Sequence, residues 1–505
     1  MKPLPSTMPV RNQLASQSLQ SGEPEAPDHS MTYCAPSLRP YQLAGVDFAL
    51  NEKKVLIGDE MGIGKTPQAL AVFREAGAFP FVVLTPASLK LNWEREARIW
   101  LSDKVCHVIQ GKKTYELPQA DMIVLNYDIL SAWHSILMAK HFRGIVMDES
   151  HYLKDYKSKR TKLVIDLAQG KEYRLALTGT PILNRPVELV PQIEAIGRMK
   201  ELGGKWNFLN RYCSPRRTPW GTDFSGAANL DELNHRLRAT FYIRRTKQEV
   251  LPELPAKQRN ILPVILTNQG AYKKANRETI QYILNEVKVE LSLTEAGKQS
   301  TQDMYKAAIA KAASSTNVLA RIEALKQASA WGKVDDILSW TEAVLESGEK
   351  LILFAIHKEI IGALRQKLGK DYGVVCITGE TSSLERDKAV AAFQADPAVR
   401  VILLNIKAGG VGLTLTSASY VAFAELDWSY AVHLQAEDRC HRYGQKNAVN
   451  VWYFLGKDTI DEDIYHLLEQ KRAVTELATN GLTDEVQTCV KAALIKRLIS
   501  KEHIR

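Results

Sequence analysis

Gly62-Ile63-Gly64-Lys65-Thr66 follows a short apolar run, Val55-Leu56-Ile57, and precedes Ala69-Leu70-Ala71-Val72-Phe73. An apolar strand, a glycine-containing turn, Lys-Thr and then a helix make a cradle for phosphate. Glycine lets backbone N–H groups approach phosphate oxygens, and the amino end of the helix adds its positive dipole. Lys65 supplies a point charge for β- and γ-phosphates, and the Thr66 hydroxyl suits magnesium. The strict pattern has glycine where Asp59 stands. A second group, Asp148-Glu149, ends the apolar run Gly144-Ile145-Val146-Met147. A carboxylate there, downstream of a phosphate cradle, can hold magnesium directly or through water. Glu149 points elsewhere and can orient or deprotonate an attacking water. In the third group, Arg439 and Arg442 follow Gln435 by four and seven residues. That spacing places them on one face of a helix. Planar guanidinium groups suit the charge that develops on a transferring γ-phosphoryl group.

These residues need a scaffold. Phe81-Val82-Val83-Leu84-Thr85, Met122-Ile123-Val124-Leu125-Asn126 and Arg174-Leu175-Ala176-Leu177 repeat the apolar strand pattern, with helical stretches between. Lys350 to Ala355, Val374 to Ile377 and Val399 to Asn405 do so again downstream. Alternation of this kind implies parallel sheets covered on both faces, with ligands at the carboxyl ends of the strands. Lys65-Thr66, Asp148-Glu149 and Thr178-Gly179-Thr180 fall at such ends. Ahead of the cradle, Pro40 opens an amphipathic helix through Leu50. Its Gln42 amide could read an adenine edge or face solvent, and this stretch alone allows both. The glycine loop from Lys407 to Thr416, including Gly412, allows close approach to a phosphate or a simple turn.

Bulk composition narrows the classes. With 505 residues the chain has room for about three domains. A net charge of +9 from 66 basic and 57 acidic residues permits a nucleic-acid partner without requiring one. Six cysteines form no Cys-x-x-Cys pair, which argues against a structural zinc site and for reduced thiols in a cytosolic compartment. No apolar stretch has transmembrane length or the form of a signal peptide. The expected location is the cytosol of a bacterium or virus-infected host, or the nucleus of a eukaryote, without secretion or a membrane partner.

Taken in order, Gln42, Gly62-Ile63-Gly64-Lys65-Thr66, Asp148-Glu149-Ser150-His151 and Thr178-Gly179-Thr180-Pro181 resemble the first-lobe motifs of helicase superfamily two. Within it they resemble the Swi/Snf ATPase family, where an Asp at the place of Asp59 is usual. The string from Gln435 to Gln445 is similar to that family's last motif. Arg211-Tyr212-Cys213, Pro219-Trp220-Gly221 and Ser225-Gly226 followed by Asn229-Leu230 are similar to its annealing-helicase, fork-remodelling branch. The resemblance implies an α/β fold of two RecA-like parallel-sheet lobes, a P-loop NTPase, with helical insertions between them. It implies ATP and Mg2+ as cofactors. It carries nucleotide contact onto Arg39, Gln42, Asp59, Glu60, Met61, Gly62, Ile63, Gly64, Lys65, Thr66 and Gly412. Magnesium falls to Thr66 and Asp148. Catalysis falls to Lys65, Asp148, Glu149, Gln435, Arg439 and Arg442, with both arginines working as fingers across the lobe interface.

The chain then divides as a disordered tail over 1–30 and an ATP-binding lobe over 31–250 with a protrusion at about 200–245. A linker and helical insertion over 251–330 follow, then a C-terminal lobe over 331–480 and a basic helix over 481–505. In the protrusion, arginines interleave with Trp and Tyr. They form either a surface for phosphates and sugars or solvated arginines over an aromatic core. Pro252, Pro255 and Lys257 read as linker. Glu295 to Thr301 reads as a flexible break. No recognisable accessory domain flanks the core.

The expected function is an ATP-dependent translocase on double-stranded DNA, working as a monomer on forked or branched substrates. A strand-separating DNA or RNA helicase and a nucleic-acid-binding module without motor activity are the alternatives. One residue departs from the family: Pro67 follows Thr66. Proline lacks the N–H that phosphate cradles aim at the α-phosphate, though a first helical turn tolerates it. Pro67→Ile should therefore tighten ATP binding, measured by titration calorimetry. An unchanged or weaker affinity would show that the missing donor does not matter.

Overall fold

Parallel strands that are apolar throughout must be covered on both faces, and two such sheets organise the chain. The computed structural model describes residues 37–179, 185–218, 221–224, 226–294, 301–409, 412–480 and 490–502. The expected tail, Thr180-Pro181, Pro219-Trp220, Ser225, Gly410-Val411 and most of the break after Glu295 lie outside these ranges. The chain divides into two units, one up to Pro252 with residues 475–486, the other Glu253–Val474 with 487–505.

In the first unit, helix Pro40–Glu52 (α1) leads into strand Lys54–Ile57 (β1) and helix Lys65–Glu75 (α2). Strand Phe81–Thr85 (β2), helix Lys90–Trp100 (α3), strands Cys106–Val108 (β3) and Met122–Asn126 (β4), and strand Gly144–Asp148 (β5) follow. Tyr173–Leu177 (β6), helix Val190–Ile196 (α4), helix Lys205–Tyr212 (α5), an antiparallel hairpin of Arg216–Thr218 (β7) and Gly221–Asp223 (β8), helix Leu230–Arg238 (α6) and Tyr242–Ile243 (β9) complete it. The seven-stranded sheet has the order β3-β4-β2-β5-β6-β1-β9, and its paired strands are parallel. β2, β4 and β5 are buried at every residue, as full two-sided cover demands. Trp93 and Trp133 are among the largest fully buried side chains.

β9 is short, but its pairing runs past its ends. Leu56 N donates to Phe241 O at 2.9 Å, Gly58 N to Ile243 O at 2.8 Å and Glu60 N to Arg245 O at 2.9 Å. The turn after β1 is thus braced along one side by residues 241–245.

The protrusion resolves its two readings residue by residue. Phe208 and Tyr212 are core. Arg211 is exposed but not free, since its Nε lies 2.7 and 2.9 Å from the two Glu232 carboxylate oxygens. Trp206 is 65% exposed, and Arg216 and Arg217 are exposed too.

The second unit opens with a strand. Lys257, expected in a linker, begins strand Lys257–Val264 (β10), which pairs with Val449–Gly456 (β15) at all eight residues. β10 does not read as a strand in the sequence because it is a half-exposed edge strand that opens with four polar residues, Lys257 to Asn260, and carries Pro263 near its end. Between them lie helix Thr316–Glu346 (α7), strands Leu351–Ala355 (β11), Gly373–Ile377 (β12), Val399–Asn405 (β13) and Tyr420–Phe423 (β14), and helix Tyr430–Glu437 (α8). The six strands run β10-β15-β14-β11-β13-β12, again parallel. α7 buries Lys333, whose amine donates to Ala424 O and Phe454 O at 2.8 Å and to Asp461 Oδ2 at 2.6 Å. A buried ammonium is tolerated here because every bond direction has an acceptor.

Candidate nucleotide site

The turn after β1 is shaped by two glycines in the left-handed region. Gly62 and Gly64 both have φ of 83°. A Cβ at Gly64 would stand 2.3 Å from Gln42 Nε2, so conformation and space both require glycine. Lys65 is the first residue of α2, and Thr66 and Pro67 complete its first three. Pro67 therefore lacks an N–H that has no partner within the helix in any case. The Lys65 amine turns back onto the turn, donating to Asp59 O at 2.7 Å and Glu60 O at 3.2 Å. Burial pushes its pKa down, against the pull of Glu149, Asp59 and Asp148. Lys65 thus lies within the field of both carboxylates that end β5.

Asp148 is buried, and each of its oxygens is held. Trp93 Nε1 and Thr85 Oγ1 donate to Oδ2 at 2.8 and 3.0 Å, and Glu149 N donates to Oδ1 at 3.0 Å. Burial and the neighbouring Glu149 charge push its pKa up to about 6, against the Trp93 and Thr85 hydrogen bonds and Lys65. Glu149 has φ of 49°, uncommon outside glycine. Its Oε2 lies 3.2 Å from His151 Nδ1, and the same nitrogen lies 3.2 Å from Thr178 Oγ1 beyond β6. The ends of β1, β5 and β6 therefore bring Lys65, Asp148, Glu149 and Thr178 together, with Thr66 next to Lys65 in the chain.

One buried carboxylate, one hydroxyl and a lysine fit magnesium held chiefly by phosphates and water. Among the described residues no cluster of three acidic, His or Cys side chains could hold a metal by itself. That donor set suits a nucleotide-borne ion better than a resident one.

Several residues expected to touch nucleotide do other work. Asp59 is fully buried, and its carboxylate accepts from Arg245 N at 3.1 Å, Arg245 Nε at 3.0 Å and Gln68 Nε2 at 3.1 Å. Arg245 Nη2 also pairs with it and donates to Gln68 Oε1 at 2.8 Å, while Nη1 reaches Tyr41 O. Asp59 is a clamp on the turn, because no face of its carboxylate remains for a ligand. The Glu60 carboxylate accepts from Lys247 N at 2.7 Å, and Met61 packs where a Gly179 Cβ would stand. Gln42 is buried, contrary to its solvent-facing reading. Its Oε1 accepts from Arg39 N at 2.9 Å and its Nε2 donates to Ile63 O at 3.3 Å. Arg39 stands at the N-cap of α1 and shares that capping box. Tyr41 OH donates to the same Ile63 carbonyl at 3.0 Å.

Arg244 and Arg245 were expected in the protrusion as surface arginines. Arg244 Nη1 instead donates to Gly58 O at 2.8 Å and Gly179 O at 3.1 Å. Both arginines hold the turn from behind. The available signal was the pairing of an unusual buried-type Asp59 with an arginine pair after an apolar strand, but it spans 186 residues.

In the second unit, the expected helical face needs correction. α8 ends at Glu437, so Arg439 and Arg442 lie in the turns beyond it. They converge nonetheless: Arg439 Nη1 and Arg442 Nη1 lie 3.5 and 3.2 Å from Leu413 O, beside Gly412 with φ of 79°. Arg439 Nε also donates to Gln435 O at 3.0 Å. The anchor is Glu437, fully buried, with Arg259 Nε at 2.7 Å, Lys257 Nζ at 2.8 Å and Tyr453 OH at 2.8 Å. Those cations hold its pKa at about 2 against the opposing effect of burial.

The raised Asp148 value has a testable sign. A carboxyl that binds its proton more tightly when folded favours folding as pH falls through about 6. The metal-free protein should therefore gain about 1–3 kcal/mol of that contribution between pH 7 and 5, and lose it as pH rises again. Glu149→Gln removes the neighbouring charge and should shrink this gain in denaturant titrations. An identical gain in the variant would mean Glu149 does not act on Asp148.

The SNF2-related domain family matches residues 41–329, and the helicase conserved C-terminal domain matches 329–444. The SWI/SNF-related matrix-associated actin-dependent regulator of chromatin subfamily A-like protein 1 of Xenopus tropicalis is 34% identical over 459 residues, covering 89% of this chain and 45% of that protein. The DNA annealing helicase and endonuclease ZRANB3 of Homo sapiens is 33% identical over 471 residues, covering 89% and 41%. A solved Sulfolobus solfataricus SWI2/SNF2 ATPase core in complex with dsDNA aligns over 93% of this chain and 97% of its own, with 25% identity and a TM-score of 0.41. The chain spans less than half the length of the two curated relatives. Since the first of the two domains covers more than half of its residues and the second follows directly, the chain belongs to the SNF2-related family of helicase-like enzymes.

Proposed function

We propose that the protein hydrolyses ATP to ADP and phosphate in response to double-stranded DNA and uses that cycle to move along the duplex, with forked or branched DNA as its working substrate. The observation that carries the ATPase half is the meeting of Lys65, Asp148 and Glu149 at the carboxyl ends of β1 and β5. The turn offers backbone N–H groups and the amino end of α2 to phosphates. Lys65 leaves the carbonyls of Asp59 and Glu60 to meet β- and γ-phosphate. Thr66 and Asp148 would hold magnesium, which neutralises phosphate charge when bound. Glu149, steadied by His151, takes the proton of the attacking water. Arg439 and Arg442 supply positive charge to the γ-phosphoryl group, with Gln435 beside them.

The duplex half draws on relatives named for DNA annealing, on the basic net charge and on the exposed Trp206, Arg216 and Arg217 of the protrusion. Strand separation needs a wedge between strands, and none is identified among the described residues.

Lys65→Ala, Glu149→Gln and Arg442→Ala should each lower DNA-stimulated phosphate release by at least ~10²-fold, the scale of a lost catalytic group. Stimulation is compared across duplex, single-stranded and forked DNA and RNA. Normal turnover in Glu149→Gln would remove the general base, and stimulation by RNA alone would overturn the DNA reading.

A further inference from the structure

A second basic cluster lies at the opposite, amino-terminal end of the first sheet. A cavity of about 450 Å³ opens there, where β1 and β6 begin. Lys54 and Arg174 are register partners on these adjacent parallel strands. Two like charges side by side on a sheet cost stability unless something neutralises them. Lys171, in the turn before β6, lines the same cavity.

The nearby carboxylates are committed elsewhere. Glu52 and Glu201 each lie 2.6 Å from Arg198, and Glu172 takes Lys53 at 2.8 Å and Arg143 at 2.9 Å. Among the described residues, no carboxylate ion-pairs with Lys54, Lys171 or Arg174. The walls carry five cations and two carboxylates, a net +3. Burial first, then the Arg174 and Arg198 charges, push the Lys54 pKa down against the pull of Glu201, and burial with Arg174 does the same to Lys171. Geometry seats the guanidinium. Arg174 Nε donates to Lys171 O at 3.1 Å, and Nη1 lies 2.7 Å from where a Gly197 Cβ would stand. Gly197, at φ of 78° after α4, is the bare position that lets Arg174 lie there.

A cavity of this size suits a small ligand or a short piece of a larger one, and apart from Gly170 its lining residues are all charged. A singly charged ion would leave two cations opposed. We propose that this cavity binds a phosphate-bearing polyanion through Lys54, Lys171 and Arg174, at a site distinct from the cradle after β1. Free diphosphate or triphosphate and consecutive phosphates of a nucleic-acid backbone share that chemistry. None of the catalytic roles above is needed for it.

The test uses the full chain carrying Lys65→Ala, which disables the cradle. Inorganic pyrophosphate is titrated by calorimetry into this chain and into the same chain with Lys54→Gln and Lys171→Gln. At least ~10-fold weaker binding in the latter assigns the site to a free phosphate ligand. Duplex DNA is titrated across salt concentrations in parallel. A fall of about 1–2 in the slope of log affinity against log salt assigns it to the nucleic-acid backbone. Thermal unfolding checks that each variant folds, and Gly197→Ala, which crowds Arg174, should reproduce the loss. Pyrophosphate binding and salt slope both unchanged by Lys54→Gln and Lys171→Gln overturn the proposal.

Discussion

The first unit depends on one buried ion pair, Asp59 with Arg245. Asp59 has no exposure, and Arg245 meets it through both side chain and backbone. Taking both charges out of water is expensive, and the pair is tolerable because further hydrogen bonds complete it. Gln68 bridges both partners, and the second Arg245 amine reaches the Tyr41 carbonyl. The pair therefore ties α1, the turn, α2 and the strand extension at 243–245 into one object. Arg244, Gln42 and Tyr41 add bonds to carbonyls of the same turn. Gly58 and Glu60 give their N–H groups to the strand extension. The carbonyls of the turn and its one buried carboxylate carry the rest of its support.

The second unit repeats the device. Glu437 is buried between Lys257 and Arg259 of β10 and Tyr453 of β15, and it closes α8 just ahead of Arg439 and Arg442. In both units a fully buried acid fixes the segment that carries the proposed catalytic groups, held by one arginine just past an edge strand in the first and by two cations of an edge strand in the second. Removing one partner of such a pair leaves an uncompensated charge, which costs far more than the intact pair contributes.

This explains what the sequence could and could not disclose. The cradle, Asp148-Glu149 and the parallel sheets were legible because strand, turn and helix are local patterns with steric causes. Gly64 shows it well: its φ of 83° is what a glycine in such a turn announces. The clamps were not legible. Asp59 reads as a cradle residue and Arg245 as a basic surface, and only the fold places them in contact across 186 positions. β10 was missed because edge strands are polar by necessity, and Lys257 reads as linker until Glu437 is beside it. The helical spacing of Gln435, Arg439 and Arg442 suggested a shared face. The structure reaches convergence by another route, with turns that aim both guanidinium groups at the Leu413 carbonyl.

If the Asp59–Arg245 pair shapes the turn for nucleotide, breaking it must weaken nucleotide binding in a protein that still folds. The direct measurement is the affinity for magnesium and a non-hydrolysable ATP analogue in Asp59→Asn, Arg245→Met and the double variant, with unfolding followed in each. The account predicts at least ~10-fold weaker binding in each single variant, about 1.4 kcal/mol, and no further loss in the double. Folded single variants that bind the analogue as tightly as the parent would contradict it.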